Sequence, residues 1–208
     1  MKINFNSNIN FQAHKLYFRP EVVKRDDTTG KYKPVKVSMV EIDLSNFNDI
    51  LVMHELSEKW DNDNLMAEMA KDASQFVNDE MPSEGYRFFA VTTQKDNFEN
   101  LNPDEVLSFC EVEEIINDND NPVLFCDFEI PDEEYNANIK FIQSNEKSTT
   151  MYNPLYKRCG SALLDGLKYY YNRIHLKSLI WAKPFYERNK FKPISKDDTT
   201  HMIWERGK

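Results

Sequence analysis

The sequence predicts a mixed α+β fold, with a mostly antiparallel central sheet flanked by helices. Three observations predict it. Extended apolar runs and helical patterns follow one another as strand, two helices, three or four strands, helix, strand, helix and two strands. Turn clusters such as Asp26-Asp-Thr-Thr-Gly30 and Asp118-Asn-Asp-Asn-Pro122 separate the runs. Finally, 14 Phe and 10 Tyr in 208 residues, 40% of them hydrophobic, can fill one large core.

Residues 1–34 read as an N-terminal extension, a hairpin packed on the domain formed by 35–208. Phe5, Ile9 and Phe11 are spaced by polar residues, Pro20 ends the run Lys15–Arg19, and Asp26–Gly30 supplies a turn between two strands. Val35–Leu44 alternates as a strand with a change of face. Ser45 is the expected N-cap of a helix through Ile50, Leu51, Met53 and Leu56 to Trp60. A second helix is expected over Leu65–Val77. Strands follow at Tyr86–Thr93, Val106–Val112, Val123–Ile130 and Asn138–Ser144. Near the end, Ser178–Ala182 reads as a buried strand, Pro184–Asn189 as a short helix, and Phe191–Ile194 with His201–Glu205 as a last pair.

Between these lies Tyr156–Asn172, a polar turn followed by a helix. Leu163, Leu167, Tyr170 and Tyr171 share one face, with Leu164 at its margin. Ser161 stands near the helix start, where a hydroxyl can cap free N–H groups. Lys157 and Arg158 precede that start, and cations there oppose the macrodipole at about 0.3–1 kcal/mol each. An anion held between the helix start and the two cations resolves the conflict. Phosphate is the expected anion.

Charge and cysteine content narrow the partners. With 26 basic and 35 acidic residues the formal charge is −9, and no long basic run is present, so no nucleic-acid partner is expected. Ten acidic residues fall within Glu111–Glu134, either a solvated rim or a funnel for an amine. Cys110, Cys126 and Cys159 form neither an even set nor a CxxC pair, so neither a disulfide framework nor a metal is expected. Met1–Asn6 lacks a signal-peptide core, and no run approaches the roughly 20 apolar residues of a membrane span. A cytoplasmic protein with no membrane partner is expected. Oligomeric state is left open.

Gly160-Ser-Ala-Leu-Leu164, taken with Ala182-Lys-Pro-Phe-Tyr-Glu-Arg-Asn-Lys-Phe-Lys-Pro193, resembles the GNAT superfamily of acyl-CoA N-acyltransferases. The similarity runs from about Val35 to Glu205. In that family an Arg/Gln-x-x-Gly-x-Gly/Ala loop holds the coenzyme A pyrophosphate. Aligned on Gly160, the family's Arg/Gln falls on Leu155 and its first Gly on Arg158, while Lys190 replaces the Gly before the last Phe. The resemblance implies acetyl-CoA as co-substrate, held by Lys157, Arg158, Cys159, Gly160, Ser161, Ala162 and Asn189. It implies that Asn138–Ser144 and Ser178–Ala182 splay apart around the pantetheine arm, with a backbone N–H near Phe141, Ile142 and Gln143 polarising the thioester carbonyl. Tyr186 would protonate the departing thiolate, or simply pack its ring. Transfer to a primary amine, of a small molecule or a protein, by direct attack is the implied activity; a non-catalytic module that binds acyl-CoA or a protein is the alternative. For the base, Glu113, Glu129, Glu146 and a water chain all stand open. His54, His175 and His201 have no Ser or Cys partner by spacing, and Cys159 is expected to offer a small residue with an N–H facing phosphate.

Overall fold

The structure is a computed structural model, which describes residues 14–43, 46–60, 86–115, 136–145 and 152–207. The helix expected over Leu65–Val77, the strand at Val123–Ile130, Ser45, Glu129, Glu146, Cys126 and most of the acidic stretch lie outside the described residues.

Alternation of burial makes the strands. In β4 (Ser38–Ile42) Met39 faces the same core as Val37, whereas Val40 and Ile42 face a second one. The central sheet is thus buried on both faces. Its eight strands run in the order β1 (His14–Lys15), β4, β5 (Tyr86–Thr92), β6 (Val106–Ile115), β7 (Asn136–Ser144), β9 (Arg173–Lys177), β11 (His201–Glu205) and β10 (Lys192–Pro193). Every pairing is antiparallel except that of β7 with β9. The sheet is therefore mixed but mostly antiparallel, as the sequence predicts.

Helices cover both faces. On one, α1 (Phe47–Lys59) buries Val52, Met53 and Leu56 against Val40, Phe88 and Phe109. The side chain of Asn46, not Ser45, caps it by accepting from the N–H of Asn48. On the other, α2 (Cys159–Tyr170) buries Leu163, Leu164 and Leu167 against Met39, Phe89 and Val112. Gly166 lets Met39 pack against the helix there, since a Cβ would lie 2.0 Å from its sulfur and displace that side chain.

The N-terminal hairpin exists as β2 (Glu21–Arg25) and β3 (Tyr32–Lys36), and it gains a third strand, β8 (Tyr156–Lys157), to make a separate small sheet. β3 runs past residue 34, so the hairpin continues into the domain without a linker.

One expected strand is corrected. Ser178–Ala182 is not extended: the strand is β9, five residues earlier, and Leu179–Trp181 lie in an exposed turn before α3 (Lys183–Arg188). The apolar run Leu-Ile-Trp suggested a core strand, yet Trp181 is 79% exposed. Burial follows the plainer run Ile174-His-Leu176 because the helix before it ends at Tyr170, and the chain must re-enter the sheet at once.

Candidate active site

The site is built where β7 and β9 part. They pair in parallel over only four residues, Asn136↔Arg173 through Ile139↔Leu176. β7 then continues to Ser144 along β6, whereas β9 stops at Lys177 and its chain turns away. A bulge marks the parting point: Glu111 pairs with Phe141 and Val112 with Ile139, so Lys140 has no opposite residue. Such an extra residue bends the strand and re-aims its backbone groups. The gap opens into a cleft of about 1060 Å³.

Its walls come from four elements. Ile139–Ser144 of β7 form one side, Leu176 and Lys177 with the Leu179–Trp181 turn the other, and the starts of α2 and α3 the floor. Gly160 lets the two helices meet, since a Cβ there would lie 3.1 Å from the Phe185 ring and 3.6 Å from the Ser144 hydroxyl. Lys140, Arg158, Lys177 and Arg188 all line the cleft, and no carboxylate does so among its described lining residues. In a chain of net charge −9 this is a local reversal of sign.

The start of α2 has an unusual cap. Arg158 occupies the N-cap in the left-handed region, φ 68° and ψ 18°, with no side chain capping the helix. A left-handed turn costs a non-glycine residue roughly 1–2 kcal/mol. Thus the backbone keeps a conformation suited to glycine at the very position where the resemblance lost one. The Ser161 hydroxyl is not the cap; Ser161 sits in the first turn and faces the cleft.

Of the residues the sequence singled out, Phe141, Ile142, Gln143, Arg158, Cys159, Gly160, Ser161 and Tyr186 line this one cleft. Three do not. The Lys157 ammonium lies over the Tyr32 ring, 3.7 Å from its centroid, on the side of the small sheet. Ala162 is packed in the core. Asn189 turns inward: its amide donates to the Phe185 carbonyl at 2.8 Å, and its own carbonyl accepts from Lys168 Nζ at 2.7 Å.

Tyr186 is 8% exposed and stands edge-on to Phe185 and Phe191. Burial, with a smaller contribution from Cys110, pushes its phenol up to about 12, so it keeps its proton at neutral pH. Glu113 accepts from Tyr86, Asn138 and Lys140 and does not line the cleft. Nor do the histidines weighed above: His54 is exposed on α1, His175 is buried on β9, and His201 pairs with Asp198. Lys140, Lys177 and Arg188 were missed by the sequence reading. Each is an ordinary exposed cation in its own element, and only the topology brings them together.

Neither a family model nor a curated protein sequence matches the chain. Solved structures share its general course. AtaT complexed with acetyl-methionyl-tRNAfMet is 10% identical, with 81% of this chain and 94% of that chain covered and a TM-score of 0.48. The Bacillus subtilis N-acetyltransferase YlbP in complex with coenzyme A is 12% identical, with 81% and 96% covered and a TM-score of 0.48. A protein of Exiguobacterium sp. 255-15 assigned as an acetyltransferase is 16% identical, with 83% and 95% covered and a TM-score of 0.46.

Among the described residues no group of three His, Cys, Asp or Glu could hold a metal, and no helix is long and apolar enough to cross a membrane.

Proposed function

We propose that the protein is an N-acetyltransferase, moving an acetyl group from acetyl-CoA to a primary amine of a small molecule or a protein. The observation that carries this reading is the four-cation cleft between the parted strands β7 and β9, with the start of α2 at its floor. Coenzyme A is a long, flexible arm with a multiply charged anionic end. A groove with an unpaired strand edge on one wall and cations with a helix start at its base fits both parts.

In this reading Arg158 and the first turn of α2, including Gly160 and Ser161, hold the pyrophosphate. The arm lies along Phe141–Gln143, where a backbone N–H polarises the thioester carbonyl. The neutral amine attacks the carbonyl carbon, the C–N bond forms, and the tetrahedral intermediate collapses with loss of the C–S bond. Tyr186 donates its proton or a hydrogen bond to the departing sulfur; a base removes the surplus proton of the amine. The resting phenol, neutral at working pH, is in the correct form for that donation. Among the described residues no carboxylate lines the cleft, which leaves water, or Glu129 and Glu146 outside those residues, to take that proton.

Calorimetric titration with acetyl-CoA tests the reading, followed by thiol release with a panel of primary amines. Binding with amine-dependent release is the expected result. A folded protein showing no heat with millimolar acetyl-CoA sinks the proposal.

A further inference from the structure

The N-terminal hairpin touches the cleft floor through an unexpected route. Its third strand, β8, is the pair of residues immediately before Arg158, joined through Val23↔Lys157 and Lys24↔Tyr156. Further upstream, three successive carbonyls are each taken by a donor from the hairpin. The Arg25 guanidinium donates to Asn153 O at 2.7 Å, the Tyr32 hydroxyl to Pro154 O at 2.6 Å, and the Arg25 backbone N–H to Leu155 O at 2.8 Å. The Lys157 ammonium then lies over the ring of the same Tyr32. Both ends of this short segment are left-handed, Asn153 at φ 56° and Arg158 at φ 68°. The hairpin is itself fixed, because Val22 is fully buried in the core that holds Cys159, Ala162 and Leu163.

A non-glycine residue persists in the left-handed region only when its surroundings over-determine it. Arg158 carries no capping side chain at α2; after it, Cys159 is buried with its carbonyl accepting from the Ser108 hydroxyl at 3.1 Å, and the remaining determination comes from the residues before it. We propose that the N-terminal hairpin is the positioning element of the phosphate site, with Arg25 and Tyr32 holding Asn153–Leu155 so that Arg158 and the start of α2 stay aimed into the cleft. Arg25 and Tyr32 are positioning residues and touch no ligand. Through them the hairpin restores by external bracing what a glycine at position 158 would provide by freedom of backbone. The inference rests on the coenzyme reading above.

The test uses the full chain with Tyr32→Phe, Arg25→Met and the pair. Tyr32→Phe removes one hydroxyl and keeps the ring under Lys157. Two ligands separate positioning from general support: coenzyme A, and acetyl-pantetheine, which has the arm without the phosphates. The pair should weaken coenzyme A by about tenfold or more, the usual scale for removing groups that orient a binding residue. It should leave acetyl-pantetheine within about twofold and the thermal midpoint near that of the parent. Amide exchange over residues 157–161 should quicken. Arg25→Lys, which retains a donor, should recover part of the coenzyme affinity. Unchanged coenzyme binding in the pair overturns the inference and leaves the coenzyme reading standing. Equal losses for both ligands also overturn it, since the hairpin would then support only the fold. If the parent protein binds no coenzyme A at all, both readings fall together.

Discussion

The two ends of the β7–β9 pair are built from the same strands and do opposite things. At the closed end, Asn136–Ile139 and Arg173–Leu176 are paired and the neighbouring charged groups are tied to one another. Arg87 on β5 forks onto Glu41 of β4 with two contacts of 2.6 Å, reaches Glu114 of β6 at 2.6 Å, and lies over the Phe89 ring. Tyr171, just past α2, donates its hydroxyl to the same Glu114 oxygen at 2.9 Å. At the open end the strands part, Arg158, Lys177 and Arg188 line a cleft that no described carboxylate lines, although Lys140 leans back on Glu113 at 3.3 Å, and an arginine is held left-handed. One end has its charges matched internally. The other leaves positive charge to be matched by something that binds. That asymmetry is what separates a scaffold from a site in this fold, and substitutions at the two ends should separate affinity from stability.

The largest effect is expected at the open end. Arg158→Glu places a carboxylate at the cleft floor and reverses the sign of the charge meant for phosphate. Coenzyme A affinity should fall by about a hundredfold or more, while the denaturation midpoint stays close to that of the parent. Calorimetry beside a urea titration checks both halves. Retained affinity would mean that the open end does not take its anion at α2.

At the closed end the effect should be on stability. Arg87→Met keeps much of the stem over Phe89 but leaves Glu41 and Glu114 without their shared cation, in side-chain environments only 14% and 27% exposed. Removing one partner of such a set costs about 3 kcal/mol. The urea midpoint should drop accordingly, and coenzyme affinity of the remaining folded protein should not change. A matching loss of affinity would show that the two ends are coupled.

His175, also at the closed end and opposite Asn138, makes that end sensitive to acid. Burial above all, with help from Arg173 and against a weaker pull from Glu205, lowers its imidazolium from 6.5 to about 4. Between those values the unfolded chain binds a proton that the folded chain does not. The associated stability is therefore present above pH 6.5 and lost as pH falls towards 4. Urea midpoints at pH 7 and pH 5 should differ in the parent, and less so in His175→Gln. An equal drop in both proteins would assign the acid sensitivity to other groups.

Much of this asymmetry was legible in the sequence, but unevenly. The apolar face of α2 was plain, because Leu163 and Leu167 recur at helical spacing and the fold buries them as expected. The two cations before it were plain as well, though Lys157 turned to Tyr32 and only Arg158 reached the cleft. The misplaced strand has a local cause. Leu179-Ile-Trp181 is more apolar than Arg173-Ile-His-Leu-Lys177, and hydropathy favours the wrong run when a strand has charged ends. Lys177 and Arg188 could not be found by spacing, since one ends a strand and the other a helix that meet only in three dimensions. The bracing of Arg158 was hidden for the same reason: Arg25 and Asn153 are 128 positions apart.

The smallest effect offers the finest division between the two ends. Arg158→Gly relieves the left-handed strain and removes the charge in a single change. Glycine accepts φ 68° freely, so the folded state should gain about 1 kcal/mol from the strain term, partly offset by the greater freedom of glycine in the unfolded chain. Stability should therefore hold or rise slightly, the reverse of Arg87→Met. Coenzyme affinity, however, should still fall, since the guanidinium is gone while the loop conformation is kept. The fall should be smaller than in Arg158→Glu, because a neutral cap leaves the other cleft cations unopposed. If Arg158→Gly instead binds coenzyme A more tightly than the parent, the backbone and not the charge at position 158 limits binding. The hairpin brace would then matter more than the arginine it holds.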